Sequence, residues 1–320
     1  GGIIAMALGL SALQIMLEEG GRKDWFSSSF IIEASLVAAV GLVAFVVIEL
    51  RREEPFLNLR LLSSYNFGLA SLIQFTFGAV VFGVVFLIPN YFSDVHGYNA
   101  RQIGLTMIPY GIVQFIMSFA TPPLMRRTSV RTAIVLGFII MAVGCLMNIH
   151  LDANAASNVI VPSLIVRGIG QSLIVVALSV MAVEGLERAE LGSAAGAFSM
   201  VRNVGGAIGI AVASQFIVTR ERLHASHIGE SVSPFAEAAQ LRVVELVRML
   251  AKVPVESATA LYGSGHALER QQAFAILDRV VHREALLLAY SDAFLVAGVA
   301  MLACAAGSLL LRGRRRVRPA

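Results

Sequence analysis

The stretch 163-SLIVRGIGQSLIVVALSV-180 places one arginine, Arg167, and one glutamine, Gln171, inside an apolar run of the length that crosses a lipid bilayer. An arginine keeps its charge in a protein, and at the centre of a span it costs about 2.5–3.5 kcal/mol on insertion scales. Such a residue faces the interior of a helical bundle or a wet cavity, not lipid. Gln171 comes four residues later on the same helical face, where it can share hydrogen bonds with Arg167. The pair reads as part of a polar pathway. The alternative is a structural tie, with Arg167 capping backbone carbonyls.

The remaining sequence makes a membrane setting general. Of 320 residues, 57% are hydrophobic and 14% charged, against about 25% charged in an ordinary soluble domain. The mean hydropathy is +0.76. Apolar runs recur at about 1–17, 29–50, 66–89, 102–124, 131–149, 160–183, 196–219 and 287–311. These predict eight transmembrane helices and an all-α integral membrane fold. The first run starts at Gly1 with no polar lead-in, so the chain reads as cut from something longer. Cys145 and Cys304 both fall inside runs, which argues against a disulfide framework.

The charge is +4 with a pI near 9.4, but the basic residues are dispersed, which excludes a nucleic-acid patch. Their distribution instead reports orientation. With the tail RGRRRVRPA (312–320) in the cytoplasm, the short inner segments hold Arg51, Arg52, Arg60, Arg126, Arg127, Arg131, Arg188, Arg312, Arg314, Arg315, Arg316 and Arg318. The short outer ones hold Arg22, Lys23 and Arg101. Twelve against three is a positive-inside bias that puts both chain ends in the cytoplasm.

Between the first two runs, Gly20 and Gly21 break the helix and Trp25 sits as an interfacial anchor. A link with Pro55 follows, and the last two runs are separated by a long outer segment at about 220–286. In that segment Leu241, Val244, Val247 and Leu250 recur at helical spacing, predicting an amphipathic helix after Ser233 and Pro234. A second, ALERQQAFAILDRVVHREALLL, carries Phe274, Leu277 and Val281 on one side and runs into the last span.

These residues resemble a known family. LQIMLEEGGRKDWFSS (13–28) is similar to the linker-helix turn of EmrB-type fourteen-helix drug:proton antiporters of the major facilitator superfamily. ESVSPF (230–235) and YSDAF (290–294) are similar to that family near its last helix. PPLMRRTSVRT (122–132) resembles the superfamily's acidic and basic cytoplasmic loop without its acidic member. IVRGIGQSL resembles its membrane-buried arginine signature, with Gly170 and Gln171 in the reverse of the family order. The resemblance implies that residues 1–50 are two linker helices, 51–65 a cytoplasmic link, and 66–320 the C-terminal six-helix half, the N-terminal half being missing. It also implies a multi-pass protein of the bacterial inner membrane, with a periplasmic adaptor protein and an outer-membrane channel as partners.

Other residues are weaker signals. Gln74 and Gln114 are single amides that line the pathway or bond across a helix interface. Phe75, Phe77, Phe82 and Phe86 read as lipid-facing filling, with a drug-accepting wall as the alternative. Gly192, Gly196, Gly205 and Gly209 include four-residue spacings that let backbones approach, and the resemblance makes that contact the interface with the other half. Arg202 and Asn203 near the cytoplasmic end read as gating residues, or Arg202 as a snorkelling side chain. Asp292, after Ser291, reads as a cap at the outer end of the last helix. No aspartate or glutamate lies in the middle third of any predicted span. A proton-coupled transporter needs a titratable carrier there, and the resemblance implies that proton coupling belongs largely to the missing half.

His224 and His227 lack a third metal ligand, and no G-x-x-x-x-G-K loop or nucleophile–base constellation is visible. No metal, cofactor or enzyme activity is therefore expected. The expected function is export of amphipathic small-molecule drugs from the lipid bilayer in exchange for protons, by alternating access. A non-transporting membrane scaffold is the alternative.

Overall fold

The computed structural model describes residues 1–20, 23, 25–51, 64–151, 157–184, 190–231 and 267–311. Among these residues there are eight α-helices and no strand. In lipid every backbone N–H and C=O must be satisfied within the chain, and for single apolar runs the helix does this. The helices are α1 (Gly2–Glu19), α2 (Ser29–Arg51), α3 (Tyr65–His96), α4 (Ala100–Arg127), α5 (Val130–Leu146), α6 (Ser157–Val183), α7 (Leu191–Ser231) and α8 (Ala267–Ser308). All eight expected spans thus appear as helices. Six of them, α2, α3, α4, α6, α7 and α8, are long and apolar enough to cross a membrane. α1 and α5 are apolar over the shorter stretches Gly2–Leu17 and Val130–Leu146.

Local chemistry sets the turns. Gly97, at φ 64°, ends α3 in the left-handed conformation that glycine adopts without penalty. Two residues on, Asn99 and Gln102 form a reciprocal capping box at 2.9 and 3.0 Å that starts α4. Ser129 Oγ accepts from the Thr132 amide to start α5. Arg131 donates to the carbonyl oxygens of Leu309 and Leu311, tying the start of α5 to the chain just past α8.

α3 packs along α7, α5 along α6, and α4 lies on α6; α8 closes the bundle against α5 and α7. α1 and α2 form a hairpin that touches α7. One apolar core gathers Phe77, Phe138, Met141, Phe198 and Met301, and a second gathers Tyr91, Phe92, Leu164, Tyr290 and Phe294.

The two long helices revise the expected boundaries. α7 was expected to end near residue 219 and instead continues to Ser231, because no glycine or proline falls between Ala211 and Ile228. α8 starts at Ala267, as one continuous helix with the amphipathic segment that precedes the last span. Asp292 is therefore mid-helix and not a cap at a helix end, since the chain from Ala267 to Ala297 has no helix breaker. The link at 52–63, the helix expected after Ser233, the side chain of Trp25 and the basic tail lie outside the described residues.

The glycine contact is also corrected. Gly205 and Gly209 pack on α3, inside this bundle, and are not free for another half. A methyl on Gly209 would lie 2.5 Å from both Cα and the carbonyl carbon of Ala79. One on Gly205 would lie 3.0 Å from the Phe75 carbonyl carbon. Gly78 meets the Arg202 backbone reciprocally, a methyl there lying 3.0 Å from its carbonyl carbon. Close approach needs small residues on both helices, and α3 supplies Gly78, Ala79 and Gly83. Gly192 faces open space, and Gly196 is exposed.

Candidate functional site

The cation that opened the sequence reading is enclosed by protein. Arg167, in the middle of α6, is 1% exposed. Its room comes from Gly144 on α5, where a methyl would lie 2.5 Å from Cγ of Arg167. Nε donates to the Ser163 carbonyl at 3.2 Å and Nη2 to Ser163 Oγ at 2.8 Å. Asn148 Nδ2 donates to the same Oγ at 2.9 Å. The guanidinium carbon lies 5.2 Å from the centre of the Phe294 ring, a cation–π distance. Among the described residues no carboxylate pairs with Arg167, and Nη1 is buried with no hydrogen-bond partner. The expected sharing between Arg167 and Gln171 does not occur, because Gln171 points to α4 and accepts from the Tyr110 hydroxyl.

That second contact marks a cleft. Phe77, Val81, Phe82 and Val85 of α3, Tyr110 and Gln114 of α4, Gln171 and Val175 of α6, and Arg202 of α7 surround about 570 Å³ counting its open mouth. Four helices meet here near mid-height, since Val81, Gln114 and Gln171 each lie close to the middle of their helix. Phe77 forms the floor, stacked edge-on against Phe138 at 5.9 Å. Phe77 is 1% exposed, so the reading of lipid-facing filling is wrong for it. The register that puts Phe77 and Phe82 on the cleft also puts Phe82 over Gly206 of α7.

The polar inventory of the cleft is unbalanced. Tyr110 donates to Gln171 Oε1. Gln114 Nε2 is buried beside the Tyr110 hydroxyl. Arg202 Nε is buried without an acceptor. No lining residue is a carboxylate.

The structure thus divides the residues singled out from sequence. It brings Gln114, Gln171 and Arg202 together. Gln74 is 1% exposed inside the α3 core and Arg167 is behind the cleft wall; neither lines it. Asn203 is exposed on another face of α7. Asp292 pairs with Arg220 at 3.5 Å and His224 at 2.9 Å, bridging α7 and α8. Tyr110 was missed. Its spacing of four from Gln114, on one face of a helix, was the signal available. Among the described residues no three His, Cys, Asp or Glu side chains form a metal-binding group.

A mostly apolar cleft with a few polar groups thus lies between helices of a membrane bundle, and the comparisons give the family. Residues 1–210 match the model of the Major Facilitator Superfamily, to which this chain belongs. Its six long apolar helices fit a multi-pass membrane protein of that superfamily. It is 26% identical over 314 residues to the colistin resistance protein EmrB of Acinetobacter baumannii, covering 98% of this chain and 59% of that protein. It is 29% identical over 250 residues to the multidrug export protein EmrB of Escherichia coli K12, covering 77% and 48%. The fatty acid resistance protein FarB of Neisseria gonorrhoeae is 23% identical over 299 residues, covering 93% and 55%. These agree with the EmrB-type resemblance of residues 13–28. The chain spans about half the length of the curated relatives it matches.

Proposed function

We propose that this chain supplies one half of a proton-driven multidrug exporter, and that the cleft between α3, α4, α6 and α7 is its share of the substrate site. Residues 1–50 then form a linker pair, 51–65 a link, and 66–320 the C-terminal six-helix half, completed by an N-terminal half. The observation that carries the reading is the cleft itself: an apolar and aromatic wall with a few convergent polar groups, at mid-height in a facilitator bundle. The names of the relatives, which include multidrug export proteins, support the substrate class.

On this reading amphipathic compounds enter from the bilayer, and rocking of the two halves exposes the cleft alternately to each side. No lining residue is a carboxylate, and on this reading proton coupling belongs largely to the N-terminal half. The arginine asymmetry supports cytoplasmic chain ends, with α7 and α8 projecting outward toward a periplasmic adaptor and an outer-membrane channel.

The test is efflux of the uncharged dye Nile red from cells expressing the full-length protein. Efflux should stop when nigericin collapses the pH gradient, and Gln171→Leu should lower it at least tenfold at equal membrane abundance. Efflux that ignores both perturbations refutes the reading.

A further inference from the structure

The charge preference of the cleft can be read from its unpaired donors. The arginines that the structure buries or half-buries elsewhere each have at least one partner, although Arg131 Nε and Arg167 Nη1 are themselves buried without one. Arg131 reaches two carbonyls, Arg167 reaches Ser163 and the Phe294 ring, and Arg220 has Asp292 and the Phe216 ring. Arg202 is the exception: among the described residues it has no hydrogen bond, ion pair or ring contact, and its Nε is buried at the cleft wall. Gln114 Nε2, across the cleft on α4, is a second buried donor, with the Tyr110 hydroxyl beside it. The one hydroxyl present, on Tyr110, already donates to Gln171.

A cation in a poorly solvated site with no counter-charge is costly, and so is a buried N–H with no acceptor. One ligand group relieves both costs, a delocalised anion with several acceptor oxygens. An ammonium ligand relieves neither and adds like-charge repulsion. The hydrophobic remainder of the ligand fits the wall of Phe77, Val81, Phe82 and Val175.

We infer that the cleft selects amphipathic organic anions, carboxylates or sulfonates, and that Arg202, with Gln114 beside it, is the specificity-determining residue. This rests on the cleft being the substrate site as proposed above.

Three pyrene compounds with a shared ring and different ends separate the possibilities: neutral 1-pyrenebutanol, anionic 1-pyrenebutanoate and cationic 1-pyrenebutyltrimethylammonium. Binding to the full-length protein in nanodiscs is followed by pyrene fluorescence. Wild type should bind the anion more tightly than the alcohol by roughly ten- to hundredfold, the range of a hydrogen bond to a charged group, and the cation most weakly. Arg202→Gln should bring anion and alcohol binding together. Arg202→Glu should favour the cation, and Arg202→Lys should keep part of the anion preference, which a loss of folding could not mimic. Alcohol binding that Gln171→Leu abolishes, with no anion preference in wild type, overturns the inference alone. A preference that survives Arg202→Gln does the same. Alcohol binding indifferent to Gln171→Leu overturns the substrate site and the inference with it.

Discussion

Gly209→Ala tests the backbone contact that shapes the cleft. The added methyl would meet the carbonyl oxygen of Ala79 and lie 2.5 Å from its Cα and carbonyl carbon, against an ordinary contact of at least 3.4 Å, so α3 and α7 must part by more than about 0.9 Å. All three near atoms are backbone, so no side chain can rotate away. Overpacking of this kind costs about 1–3 kcal/mol, while alanine in place of helical glycine returns about 0.5–1 kcal/mol. The net expectation is a loss of about 1–2 kcal/mol. Gly192→Ala is the matched control: it faces open space and keeps only the propensity gain. The propensity gain is common to both, so the two variants of the full-length protein should differ by the overpacking cost, about 1–3 kcal/mol, or about 2–10 °C in melting temperature. Thiol-reactive dye melting suits the measurement, because Cys145 and Cys304 are free and buried. Gly206, with Phe82 against it, lies on the same seam, so efflux should fall with stability in Gly209→Ala. Equal melting shifts for the two variants would show that α3 and α7 do not approach as closely as described.

Other tests address the buried charges and ties. Arg167→Met replaces an enclosed cation that has no carboxylate partner by an apolar chain of similar reach; melting should hold or rise and efflux should persist, since Arg167 lies behind the cleft wall, and a tenfold loss of efflux at equal abundance would show that it acts in transport. Arg131→Ala removes the tie to Leu309 and Leu311 and should cost about 1 kcal/mol in melting. Asp292→Asn breaks pairs with Arg220 and His224 that are 29–40% and 20–29% exposed. Solvent screening limits this to at most about 1 kcal/mol, and a larger loss of stability would mark these contacts as a main fastening of α7 to α8.

Much of the fold was legible because lipid imposes a simple rule: an apolar run must be helical and about as long as the hydrocarbon is thick. That rule located all eight helices. It does not say where a helix stops once outside lipid, which is why α7 and α8 outran their expected ends. The absence of glycine and proline around Arg220 and Asp292 was the signal passed over. Gln114, Gln171 and Arg202 were found because polar atoms in apolar runs are costly and therefore conspicuous. Their grouping was not visible, since they come from three helices. Arg167 and Gln171, four residues apart on one helix, were expected to share a partner. Gln171 reaches Tyr110 of α4, whereas Arg167 folds back along its own helix to Ser163 and lies over Phe294 of α8.

Sequence alone determined the class of protein, the helices and the residues whose burial needs explaining, because each follows from local composition and periodicity. Tertiary structure alone decided which of those residues share a cleft, which cation is satisfied, and which glycines touch which backbone. Those outcomes depend on distances between segments far apart in the chain, and no local pattern carries them.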